Sequence, residues 1–172
     1  VIDIDPLDAS ADWTLCAQRL FAEAELLDAL RYREWLSFVD SEVDYRLLNR
    51  LTRERASGES PFDLDRFLVR CGRGALEARV ARVETGWAFS EDPPTTTRRF
   101  ITNIQPARLS ERELSVKSNL LMFHGRWDEH GFISAARDDV WALDASNNLL
   151  LKRRYVYLDH TLVPVENFSV VL

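Results

Sequence analysis

The groups in this 172-residue chain that could do chemistry are few: three histidines, two cysteines and scattered carboxylates. His124 and His130 flank a predicted hairpin loop, with Asp128 and Glu129 between them. A mononuclear iron site needs two histidines and a carboxylate on one face, so a surface metal site there is conceivable. Solvated loop or strand histidines are the simpler reading. A mixed Cys/His iron–sulfur cluster needs paired Cys-x-His and Cys-x-x-His groups. Cys16 and Cys71 lie far apart, neither beside a histidine, so no metal and no cofactor is expected on this chain. Both cysteines sit in apolar, helix-like stretches and read as buried and reduced.

Nucleophile motifs are missing. No G-x-S-x-G occurs and no cysteine neighbours a histidine. Gly72-Arg73-Gly74 falls inside a predicted helix, not between a strand and a helix as a phosphate loop requires. Candidates for a general acid or base in a pocket are Asp44, Asp139, Asp159 and His160. Asp159 and His160 are adjacent, and adjacent strand residues point to opposite faces, which argues against a dyad. Each carboxylate reads more simply as solvated or salt-bridged, and no catalytic residue is expected. Arg98-Arg99 and Lys152-Arg153-Arg154 could suggest nucleic acid. The net charge of −6 repels phosphate, so they read as sheet-surface charge or subunit-interface pairing. Trp87, Phe89, Trp127, Trp141, Tyr155 and Tyr157 read mainly as core, with a few as interface anchors.

The elements that would position these groups follow from periodicity. Residues 1–11, acidic and with Pro6, read as an arm; residues 12–172 read as one domain. From Trp13 to Val39, Leu15, Leu20, Phe21, Ala24, Leu27 and Leu30 fall near helical spacing, with a possible break near Asp28. Residues 42–51 alternate as a strand, Val43, Tyr45 and Leu47 on one face. Ser60 as cap and Pro61 at the first position predict a second helix running to Val83, closed by Thr85-Gly86. After Pro93-Pro94, strands are predicted near 97–108, 113–127, 132–143 and 149–161, with hairpin loops at 125–131 and 144–148. The terminal NFSVVL is apolar and expected to pair or pack at a sheet edge.

Helices grouped before a run of antiparallel strands predict an α+β fold. A cone-shaped, strongly curved antiparallel sheet with N-terminal helices on its concave side fits that order. This is the architecture of nuclear-transport-factor-2-like and cystatin-like domains. The opening VIDIDPLDAS lacks a basic region followed by an apolar run, and no apolar stretch is long enough to span a bilayer. A cytoplasmic protein without membrane or nucleic-acid partners is expected.

Several segments in order resemble one family. LLDALRYREWLSFVDSEVDYRLLNRLTRER is similar to the opening of β subunits of bacterial Rieske-type aromatic-ring-hydroxylating dioxygenases. WAFSEDPPTTTRR is close to their W-x-E-D-P-P-x-x-T-R signature, and VKSNLLMF to their V-x-S-N strand. RDDVWAL, LLLKRRYVYLDHTLV and ENFSVVL resemble the closing strands and terminus. One segment departs: where many members carry H-F-D-D, this chain reads SPFDLDRF, keeping Phe62-Asp63 without the histidine.

The resemblance implies a structural β subunit without an active site. An α subunit would carry the Rieske [2Fe–2S] cluster and mononuclear Fe(II), in an α3β3 hexamer. A ferredoxin and a reductase drawing on NADH would supply electrons, and an aromatic compound would leave as a cis-dihydrodiol. Subunit-interface candidates are Trp87, Glu91, Asp92, Arg98, Arg99 and Asn103, with Arg99→Glu expected to weaken assembly while leaving the chain folded. A stand-alone pocket enzyme, such as an isomerase or dehydratase, and a small-ligand binding domain are the alternatives.

Overall fold

The structure is a computed structural model and describes residues 6–54, 58–84 and 94–161. Among these residues nine elements follow one another: α1 (Pro6–Asp28), α2 (Tyr32–Leu36), β1 (Val39–Leu48), β2 (Val69–Cys71), α3 (Arg73–Glu84), β3 (Thr96–Ser110), β4 (Glu113–Arg126), β5 (Glu129–Leu143) and β6 (Leu149–Leu158).

Pro6 suits the first helical turn, where its missing N–H costs nothing. α1 therefore starts earlier than the predicted arm allowed, and residues 6–11 are helical. The helix stops at Asp28, where the sequence hinted at a break. Leu30 takes a left-handed conformation (φ 59°), and the Arg31 N–H donates to the Leu26 carbonyl at 2.9 Å. That is a Schellman-type closure, with leucine in the place glycine usually fills.

The predicted helix from Ser60 is corrected. Residues 58–68 form an irregular segment, Val69–Cys71 is a short strand, and the helix begins only at Arg73. The Gly72 carbonyl receives the Ala75 and Leu76 N–H groups, so Gly72 stands at the helix start and not in its middle. Val69 to Cys71 satisfy their backbone groups on Leu47 to Tyr45 of β1 instead. Tertiary pairing overrides a helical spacing of Leu64, Phe67 and Leu68, and all three stay exposed.

Among the described residues six strands form one curved, unclosed sheet in the order β2-β1-β6-β5-β4-β3. Every pairing is antiparallel except β1 with β6. A parallel pair needs a long crossover, supplied here by everything between those strands. β4 and β5 meet in a tight turn at Trp127 and Asp128, with Arg126 facing Glu129 as the last pair. The loop predicted at 125–131 is thus mostly strand. The predicted loop at 144–148 is observed, held by the Asp144 carboxylate receiving the Ser146 and Asn148 N–H groups.

Alternation puts Leu114, Val116, Leu120 and Met122 of β4 and Ile133, Ala135 and Trp141 of β5 on one face, the inner one. There they pack with Cys16, Leu20 and Leu27 of α1, Trp35 of α2 and Leu151, Val156 and Leu158 of β6. α1 is fastened along β3, the edge strand, at three heights. Asp12 pairs with Arg108, the Trp13 indole donates to the Ile104 carbonyl at 3.1 Å, and Asp28 meets Thr97 and Arg99. These contacts cover an edge that would otherwise present open backbone groups.

Candidate functional site

Four charged side chains converge in the interior, between α1 and the inner face of β5 and β6. Glu23 of α1, Arg137 and Asp139 of β5 and Arg154 of β6 are all essentially without solvent exposure. Arg154 donates Nη1 to Glu23 Oε1 at 2.9 Å and Nη2 to Glu23 Oε2 at 2.8 Å. Its Nε and Nη2 also reach the two oxygens of Asp139 at 2.9 and 2.7 Å. Two indoles complete the arrangement: Trp35 Nε1 donates to Glu23 at 2.9 Å, and Trp141 Nε1 to Asp139 at 3.3 Å.

The cluster balances two cations against two anions, which is how buried charge is tolerated. Burial alone would raise the Glu23 carboxyl. The charges of Arg154 and Arg137, with hydrogen bonds from Arg154 and Trp35, outweigh that and hold it below the usual range. Burial likewise works against the Arg154 guanidinium, but Asp139 and Glu23 push it well above its ordinary value. Both oxygens of each carboxylate are taken by the Arg154 guanidinium, so the cluster binds and braces.

Placement separates the acid–base candidates. Asp139 alone of the four faces the interior, and Arg154 clasps both its oxygens. Asp44 lies on the outer face, receiving Arg46 and the Tyr155 hydroxyl. Asp159 and His160 both meet Ser134, but not as a triad. The Ser134 hydroxyl donates to Asp159 at 2.8 Å, while His160 Nε2 accepts the Ser134 backbone N–H at 3.2 Å. An imidazole nitrogen so occupied cannot take the hydroxyl proton.

Register separates the histidines too. His124 is paired with Gly131 and His130 with Gly125, so the two imidazoles leave opposite faces of the hairpin. His124 lies over Gly131, whereas His130 and Phe123 have ring centroids 6.2 Å apart on the outer side. Among the described residues no three His, Cys, Asp or Glu side chains are grouped to hold a metal. Burial, followed by the Asp12 charge, pushes the Cys16 thiol up to about 12, far from a nucleophilic thiolate.

For two residues of the basic groups Arg98-Arg99 and Lys152-Arg153-Arg154 the structure corrects the reading as surface charge. Arg154 is wholly internal. Arg99 is 7% exposed and ion-paired to Asp28, which also receives the Arg99 backbone N–H at 2.8 Å. Arg98 and Asn103 are exposed. Asn103 has φ 51° and sits in the register shift between Thr102 and Gln105 of β3; asparagine tolerates that conformation better than most residues. Trp87, Glu91 and Asp92 lie outside the described residues, as does NFSVVL.

Sequence reasoning missed Glu23, Arg137 and Arg154, though a signal existed. Glu23 is three residues after Leu20 and four before Leu27, on the buried helix face. Arg137 shares its strand phase with Ala135 and Trp141, and Arg154 with Val156 and Leu158.

The outer face of the sheet is divided. Over β1 and β6 it is covered by the chain itself: Phe62 packs edge-on against Tyr157 with centroids 5.1 Å apart, and Arg46 Nη1 donates to the Leu64 carbonyl. Over β3, β4 and β5 it carries exposed apolar side chains among the described residues. Phe100 pairs with Leu121, Phe123 with Phe132 and Arg98 with Phe123, all on that face. Phe100, Leu121 and Phe132 are exposed large apolar groups. Beyond them, at the hairpin tip, Trp127 is 80% exposed with φ 55°.

A sequence model of the family described as Ring hydroxylating beta subunit matches residues 22–165. The chain belongs to that family. Among solved structures, a chain of naphthalene 1,2-dioxygenase determined with indole in the active site is 27% identical at a TM-score of 0.82, covering 99% of this chain and 89% of that one. The β subunit of benzoate 1,2-dioxygenase from Burkholderia mallei is 18% identical at 0.69, covering 99% and 100%. At that identity the likeness to the Burkholderia subunit is one of fold. Together these make the chain a ring-hydroxylating dioxygenase β subunit, a component of an oxidoreductase complex with an α-subunit partner. No described helix is long and apolar enough to cross a membrane.

Proposed function

We propose that this β subunit is structural and non-catalytic, and that it supports its α partner through the outer face of β3, β4 and β5. One observation carries the reading. Asp139, the one of the four acid–base candidates that faces the interior, has both oxygens held by Arg154, while an apolar stripe of Phe100, Leu121, Phe123 and Phe132 lies along the outer face, exposed among the described residues at Phe100, Leu121 and Phe132. Large exposed apolar patches rimmed by polar groups mark interaction surfaces. Aromatic and arginine side chains carry most of the energy of such contacts, and Arg98 borders the stripe. Trp87, Glu91, Asp92 and Asn103 remain candidates for the same contact, and Arg99 supports it from inside the subunit.

The chemistry then belongs to α. That chain carries a Rieske [2Fe–2S] cluster and mononuclear Fe(II), and is supplied with electrons from NADH through a reductase and a ferredoxin. It releases a cis-dihydrodiol of an aromatic compound. The β subunit holds α in an α3β3 hexamer in the cytoplasm.

The test is to purify the tagged chain from its native host and record the size and visible spectrum of what accompanies it. A large brown complex with a second, bigger polypeptide supports the proposal. A colourless monomer or dimer, recovered under conditions that keep complexes intact, overturns it.

A further inference from the structure

The interior cluster leaves one strong donor over. Arg154 spends Nε, Nη1 and Nη2 on carboxylates, but Arg137 does not. Arg137 is 2% exposed, and its Nε donates to Ser118 Oγ at 3.2 Å. Its Nη1 stands 3.8 Å from Glu23 Oε2, beyond hydrogen-bond range, and Nη2, shut off from solvent, meets no acceptor among the described residues. A buried guanidinium N–H without an acceptor costs its full desolvation. Nearly all buried polar groups in folded proteins have a protein or ordered-water partner.

We propose that Arg137 Nη2 and Ser118 Oγ form a binding site for one buried water molecule, which links Arg137 to Glu23. Charge decides the class of ligand. Glu23 and Asp139 already balance Arg137 and Arg154, so an added anion would leave an uncompensated charge in a low-dielectric interior. Water is neutral. It accepts from Nη2 and donates to Ser118 Oγ and Glu23 Oε2, which meets the two to four polar partners a buried water requires. The inner-face neighbours Val116, Leu120 and Ala135 are apolar, and the acceptors around Arg137 are Glu23, Asp139 and the Tyr45 hydroxyl. Arg137 stays protonated throughout, although burial, with Arg154 beside it, brings it down to about 10.

High-resolution diffraction from crystals of the full chain, alone or in its complex, tests the site. The expected result is a fully occupied water about 3 Å from Arg137 Nη2, as well ordered as its neighbours, that disappears in Arg137→Met. A bromide soak should add no anomalous peak there. Nη2 turned directly onto a protein oxygen, or a bromide peak at the site, overturns the proposal. If Arg137→Met does not fold, the wild-type map decides alone.

Discussion

Arg154 and Glu23, 131 residues apart in sequence, bind each other through both guanidinium Nη atoms and both carboxylate oxygens in the closed interior. This pair joins the last described strand to the first helix, across the layer that holds the core. A buried pair of this kind adds little when compared with apolar packing, but losing one partner strands the other.

Glu23→Ala should therefore destabilise the chain by about 3–5 kcal/mol, measured by denaturant unfolding of the isolated subunit. A loss below about 1 kcal/mol, the usual scale of an exposed pair, would show that the cluster is not buried as described.

The same carboxyl sets an acid limit. Glu23 is held below its unfolded value, near 4.3, by Arg154, Arg137 and Trp35 acting against burial. A depressed carboxyl contributes stability above the unfolded pKa, and that contribution is lost as pH falls through the folded pKa. Stability should be flat near neutrality with respect to this group and fall below about pH 4. Glu23→Gln should flatten part of that fall. An unchanged acid limb in the variant would remove Glu23 as its cause.

Arg99→Glu should unfold the subunit and not merely detach it. It replaces a buried cation paired with Asp28 by a second anion beside it, at a cost of at least about 3 kcal/mol. Circular dichroism of the purified variant reads this directly. A well-folded variant that fails only in assembly would return Arg99 to the interface.

Gly131→Ala should clash with the imidazole opposite, because a Cβ there would stand 2.8 Å from His124 Nε2. The expected loss is about 1 kcal/mol, at the low end for overpacking, since the ring can move part of the way. His124→Ala in the same chain should restore most of it. A double-mutant cycle checks the coupling, and additive effects would show that the two residues do not touch.

Trp127→Gly separates stability from association. A tryptophan at φ 55° occupies the place a tight hairpin turn reserves for glycine, so the variant should gain about 0.5–1 kcal/mol. It should at the same time lose affinity for α at least about tenfold, the scale of an aromatic anchor. Thermal melts and co-purification report the two effects independently; unaltered association would remove Trp127 from the contact.

The sequence by itself determined much of this protein. Alternation of apolar residues named strands 3 to 6 within a few positions, because each pleat sends successive side chains to opposite faces and only one face meets the core. The spacing of Leu20, Ala24 and Leu27 named α1 for the same reason. WAFSEDPPTTTRR and the segments after it pointed to the family. What only the tertiary structure decided were matters of pairing. Val69–Cys71 became a strand because β1 offered a free edge to satisfy its backbone, which no local spacing could announce. The parallel neighbour of β1 lies more than a hundred residues away in sequence. Arg99, Arg137 and Arg154 look alike as sequence with exposed Arg98. They differ only in where their strand phase delivers them, and a guanidinium becomes internal when a carboxylate from a distant element is already waiting there.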